Sequence, residues 1–156
     1  MLIDTGGANA RTHLKRALAS AGCKPGNLRL IAITHGDFDH TGNAAHLRDT
    51  FGTRIAMHVD DSGMAERGDI FWNRHKGGRL FRMLVPLLFR FGKADRFKPD
   101  VSIEDGTDLS EYGFDARVLC IPGHSKGSLG ILTAGGDLFC GDLFTNTQTS
   151  PQCHHG

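Results

Sequence analysis

Four side chains of metal-ligand type fall within six residues, His35-Gly36-Asp37-Phe38-Asp39-His40. Imidazole nitrogens and carboxylate oxygens together suit zinc, manganese or iron. The absence of thiolate from the run argues against a structural zinc knuckle. Two more ligand types follow, each beside a glycine: His124 in Pro122-Gly123-His124-Ser125 and Asp142 in Gly141-Asp142. Such a set points to chemistry assisted by divalent cations, with no need for a Ser–His pair.

The segments before these motifs explain how the ligands would converge. Ile31-Ala32-Ile33-Thr34 is a short apolar run and reads as a buried strand. Gly36 allows a sharp turn directly after it. The run from Ala116 to Ile121 precedes His124, and Asp137-Leu138-Phe139-Cys140 precedes Asp142. Each ligand therefore stands just past a strand end. Strands are predicted over 1–5, 28–34 and 53–57, and helices over 8–21 and 43–51, with Gly22 and Gly52 as stops. Strands alternating with helices imply parallel pairing. After residue 100, Asp105-Gly106, Tyr112-Gly113 and Gly135-Gly136 separate short strands and predict antiparallel hairpins. The pattern predicts an α/β fold, a mixed sheet with helices on one side.

Together the three motifs resemble the metallo-β-lactamase superfamily, with its His-x-His-x-Asp-His run, Pro-Gly-His turn and Gly-Asp pair. Leu2-Ile3-Asp4-Thr5-Gly6 also resembles that family's strand before its first helix. The likeness covers roughly residues 1–146. It implies a four-layer αββα sandwich, a single domain over 1–156, and two divalent metal ions. By the same resemblance His35, Asp37 and His124 hold one ion, Asp39 and His40 hold the other, and Asp142 bridges them. Zinc is the first expectation, with iron or manganese as alternatives. Two ions about 4 Å apart share a water and bring its pKa near neutrality, and the resulting hydroxide attacks an ester, thioester, amide or phosphoryl centre. Asp39 is the expected catalytic carboxylate, orienting that nucleophile. Asp4 is expected to support the metal loop from behind.

The sequence departs from the family pattern in two ways. Asp37 stands where the second His of the motif belongs, which adds a harder donor and shifts preference toward iron or manganese. An acidic residue there resembles the superfamily's diiron branch; alternatively Asp37 orients His35. The family's final His lies several tens of residues beyond the bridging Asp, and only 14 residues follow Asp142 here. The chain is thus expected to be short at both ends. Neither His154 nor His155 has the family's spacing.

Composition is that of a soluble globular protein, with 39% hydrophobic and 22% charged residues and a net charge of +1. No apolar run spans a membrane, and no secretory leader is visible. The four cysteines show no paired zinc spacing, so a reducing cytoplasm is expected; Cys120 and Cys140 are expected within strands as small buried side chains. Residues 66–100 differ from the rest, with nine basic against four acidic residues and an apolar run around Pro86. This stretch is read as an apolar, basic helical insertion that packs on the sheet, acts as a lid for an apolar, anionic substrate, or offers an apolar patch for dimerisation. No nucleic-acid-binding stripe is apparent.

His13 and His46 are expected on helix surfaces, and His58 in a structural hydrogen bond. His75 and Lys126 are possible substrate contacts, and Ser125 and Ser128 cap the turn after His124. The leading expectation is a metal-dependent hydrolase acting on a small ester, thioester or lactone, closer to glyoxalase-II-like hydrolases than to true β-lactamases. Its rivals are a diiron redox protein and a truncated metal-binding domain without catalysis. Open sheet edges invite pairing with another chain, so a homo-oligomer is expected.

Overall fold

The computed structural model describes residues 1–69, 71, 72, 84 and 91–144. The chain opens with β1 (Leu2–Ile3), a 3₁₀ turn and α1 (Arg11–Ser20). Next come β2 (Leu30–Ala32), the short α2 (Phe38–Thr41), α3 (Ala44–Phe51), β3 (Arg54–Met57) and α4 (Val59–Arg67). Then follow β4 (Val101–Ser102), β5 (Ala116–Cys120), β6 (Leu129–Thr133) and β7 (Leu138–Phe139).

The strands form two sheets. One is parallel throughout, in the order β1-β2-β3-β4, and the other is antiparallel, in the order β5-β6-β7. The mixture of directions expected within one sheet is therefore divided between two. Val101–Ser102 departs from the expected hairpins: it pairs parallel to β3, with Ala56 opposite Val101. Parallel neighbours cannot be joined by a tight hairpin, and 43 residues separate Met57 from Val101 in the sequence.

β2 shows how the layers form. All three of its residues are buried. Ile31 faces the helices, packing with Leu18, Leu47, Ile55 and Met57. Leu30 and Ala32 face the second sheet, packing with Val118, Leu129 and Ile131. A central parallel strand is covered on both faces, so it carries apolar residues at every position. The described residues thus give helices, parallel sheet and antiparallel sheet in succession. The outer helical layer of the expected sandwich is not represented among them.

α4 had no clear sequence signal. Met64 and Ala65 are buried while Val59 is exposed, so its apolar stripe is narrow. The helix starts because His58 Nδ1 accepts the Asp60 N–H at 3.2 Å, and two carboxylates occupy its first turn. His58 therefore has the structural role expected of it. Cys120 lies in β5 but is only half-buried, and Cys140 lies just beyond β7 and is also half-buried. The central part of the 66–100 segment, with His75 and Pro86, lies outside the described residues, as do Cys153, His154 and His155.

Candidate metal centre

The centre forms where the expected strand ends meet. His35 follows the β2 strand closely and is almost fully buried, with its side chain 2% exposed. Its Nδ1 lies 3.1 Å from Thr34 Oγ1, and that oxygen lies 2.7 Å from Asp4 Oδ2. A hydroxyl has one proton, and a carboxylate oxygen only accepts. The Thr34 hydroxyl therefore donates to Asp4 and accepts from His35 Nδ1–H, which leaves His35 Nε2 as the ring nitrogen with a lone pair.

His40 is fixed from the same carboxylate. Its Nδ1 donates to Asp4 Oδ2 at 2.8 Å, so its Nε2 also points into the centre. Asp4 Oδ1 takes the Thr34 backbone N–H at 2.8 Å. A carboxylate behind each ligand histidine is the arrangement that selects the metal-binding tautomer. Asp4 holds this place with φ at +54°, a left-handed conformation that aspartate tolerates better than most residues. The expected supporting role of Asp4 is thus visible in its contacts.

The loop itself is anchored by Phe38, which is buried and stacks on Phe91 with ring centroids 4.3 Å apart. Asn43 braces its far end, its amide donating to the Thr5 and Gly7 carbonyls at 2.9 Å each.

Five of the six expected ligands come together in two adjoining groups. Ligand atoms of His35, Asp37 and His124 lie within 4.8 Å of one another, as do those of His35, His40 and Asp142. Asp37 reaches despite its short side chain: Oδ2 lies 2.8 Å from His124 Nε2 and 3.5 Å from His35 Nε2. Asp142 faces both groups. Its Oδ1 lies 3.2 Å from His40 Nε2, while its Oδ2 lies 3.8 Å from both His35 Nε2 and His124 Nε2. Asp39 belongs to neither group; it is half exposed, with Oδ2 4.0 Å from His40 Nε2. His35 enters both groups, whereas the motif alone assigned it to the first.

The electrostatics favour a cation. Burial pulls the His40 pKa down, but the Asp4 hydrogen bond and the fields of Asp4, Asp39 and Asp142 outweigh it and push it up to about 9. His35 Nε2 is buried without a hydrogen-bond partner, and it faces the Asp37 and Asp142 carboxylates. A buried ring nitrogen left in that state is costly. Divalent ions would satisfy it, and three imidazoles with carboxylates and no thiolate form a donor set suited to zinc, iron or manganese. The residues present therefore fit the metal the motif implies.

Two contributors were not singled out from sequence. Thr34 relays Asp4 to His35, and its only signal is its place directly before the first ligand. Asp61 is fully buried at the start of α4 and contacts both ligand-bearing turns. Adjacent acids just past a strand that ends beside the motif strand were its faint signal. Ser125 and Ser128 do brace the turn after His124, with Ser128 Oγ accepting the Ser125 N–H at 3.0 Å.

Comparison with known proteins identifies the family. The family model of the metallo-beta-lactamase superfamily matches residues 1–150, and the chain belongs to that superfamily. It is 31% identical over 109 residues to the hydroxyacylglutathione hydrolase GloC of Haemophilus influenzae, covering 68% of this chain and 44% of that protein. A hydroxyacylglutathione hydrolase of Anaeromyxobacter dehalogenans is 26% identical over 155 residues, 99% of this chain and 45% of that protein. The chain thus spans less than half the length of these relatives. Among solved structures, the subclass B3 metallo-beta-lactamase BJP-1 of Bradyrhizobium japonicum matches with a TM-score of 0.65 at 22% identity, covering 83% of this chain and 44% of that one. This last likeness concerns the fold alone.

Proposed function

We propose that the protein is a metal-dependent hydrolase of small acyl substrates, with thioesters or esters as its class. The observation that carries this reading is the Asp142 carboxylate, one oxygen turned to His40 and the other to His35 and His124. The names of two relatives, both hydroxyacylglutathione hydrolases, support an acyl thioester as substrate.

Divalent metal ions bound here would act as Lewis acids and supply a water that ionises near neutral pH. His35, Asp37 and His124 would hold an ion on one side and His40 on the other, with Asp142 facing both, while Asp39 stands beside His40 outside the two groups. Asp4 and Thr34 hold the His35 and His40 rings with Nε2 facing inward. Asp39, half exposed beside His40, takes the proton that the attacking water loses. Water adds to the acyl carbon, the bond to sulfur or oxygen breaks, and the proton passes to the leaving group. Zinc is the first candidate metal.

Asp37 favours a second reading. A carboxylate in contact with His124 makes this side of the centre more receptive to iron, the choice of a redox protein. Metal content of the full chain, purified without tag or added metal, separates the two. Near two equivalents of zinc, with hydrolysis of an acyl-glutathione thioester, supports the hydrolase. Iron, with oxygen consumption after anaerobic reconstitution and no hydrolysis, supports the redox reading. Protein that binds neither metal and turns over neither substrate overturns both.

A further inference from the structure

We propose that Asp61 is a positioning residue that sets the spacing of the His35–Asp37–His124 side of the metal centre; this rests on the metal-centre reading above. Asp61 lies in the first turn of α4 and has no solvent exposure. Its carboxylate reaches across two turns far apart in sequence. Oδ2 accepts the Gly36 N–H at 3.0 Å, directly between His35 and Asp37. Oδ1 accepts the Gly127 N–H at 2.9 Å, three residues beyond His124. Ser125 Oγ donates to Oδ2 at 2.6 Å and lies 2.8 Å from Ser128 Oγ. One side chain thus ties the turn carrying His35 and Asp37 to the turn carrying His124.

The backbone is shaped to admit it. A Cβ on Gly127 would stand 2.9 Å from the Asp61 carboxyl carbon, and a Cβ on Gly36 would stand 2.7 Å from Met64 Cβ on the same helix. Glycine at both positions lets both turns press against α4. His40 is held differently, by Asp4 at the end of β1. Asp4 also orients His35 through Thr34, and both groups share His35, so Asp61 is the support particular to Asp37 and His124. Loosening Asp61 should disturb the group that needs Asp37 and His124 far more than the one that needs His40 and Asp142, which a residue serving general stability would not do.

The isosteric change Asp61→Asn tests this. Its amide nitrogen must face either the Gly36 or the Gly127 N–H, donor against donor, so one tie is lost in either orientation. The probe is Co²⁺, followed by its visible absorption and by competition with a chelator, in two single-site backgrounds. His40→Gln keeps the His35–Asp37–His124 group, and His124→Gln keeps the His35–His40–Asp142 group. Asp61→Asn is expected to weaken Co²⁺ binding about 10–100-fold in the first background and change its spectrum, with a much smaller loss in the second, where only the shared His35 adjoins the tie. Equal losses in both backgrounds, or no loss in either, overturn the proposal. Failure of the unmutated chain to bind Co²⁺ removes the metal-centre reading itself. Should Asp61→Asn not fold, Gly127→Ala pushes the His124 turn off the carboxylate from the opposite side, and the same split is expected.

Discussion

Asp4 Oδ2 lies 2.8 Å from His40 Nδ1. The same oxygen takes the Thr34 hydroxyl, so one carboxylate at the end of β1 decides which nitrogen the buried His35 and the half-buried His40 present. Asn at this position keeps the tolerance for a left-handed backbone but places an amide nitrogen or a weaker acceptor against these donors. Asp4→Asn should reduce metal affinity about 10–100-fold while the protein remains folded. Chelator competition measures the first effect and a thermal melt the second. Unchanged affinity would mean that the ring orientations are set elsewhere.

The proton on His40 gives the metal-free protein a distinct pH response. The folded protein holds that proton up to about pH 9, against 6.5 for an ordinary histidine. The group binds its proton more tightly when folded, so its contribution is complete below about 6.5 and fades as pH rises toward about 9. Chelator-treated protein should lose urea resistance across that window, and His40→Gln should flatten the loss. Metal must displace the same proton, so metal binding should strengthen with pH over this range and release protons into weak buffer. A variant whose pH profile matches the unmutated chain would place the response on another group.

Asp142 and Asp39 should separate binding from turnover. Asp142 faces both ligand groups, while Asp39 stands outside them. Asp142→Asn should lower the metal bound per chain on both sides of the centre. Asp39→Asn should retain most of the metal and lose about 10²–10⁴ in turnover, the range for a positioned acid or base. Elemental analysis beside a thioester assay distinguishes them. Full metal content in Asp142→Asn would show that its carboxylate does not bridge.

The candidate ligands were legible because their motifs follow strand ends, and strand ends can be read from apolar runs closed by glycine. His35, Asp37, His40, His124 and Asp142 meet for that reason. The supports were less legible because they act across sequence. Asp61 reaches Gly127 over 66 positions, and the paired acids at 60 and 61 give only a faint local sign of it. α4 was missed for a related reason: its start depends on a His58 cap and its burial on tertiary contacts, with only a weak apolar period. The division into a parallel and an antiparallel sheet was half visible. Strand–helix alternation implied the first and the paired turns implied the second, but the parallel placement of β4 depends on where a long excursion returns.

Among the described residues, β1 pairs only with β2 and β7 only with β6. A groove of about 440 Å³ runs between them, with Leu2, Ile3, Phe114 and Phe139 in its walls. Leu138 and Phe139 are nearly half exposed, and Phe144 is 80% exposed. Unpaired strand edges beside apolar side chains favour association with another chain. The 156-residue chain should therefore grow in mass with concentration in light scattering. Phe139→Lys should shift it toward the monomer, because a charge on the edge strand must be desolvated before a second chain can pair there. Phe139 is not among the metal ligands, so metal content should be unchanged in the variant. A mass independent of concentration in the unmutated chain would show that these edges do not pair.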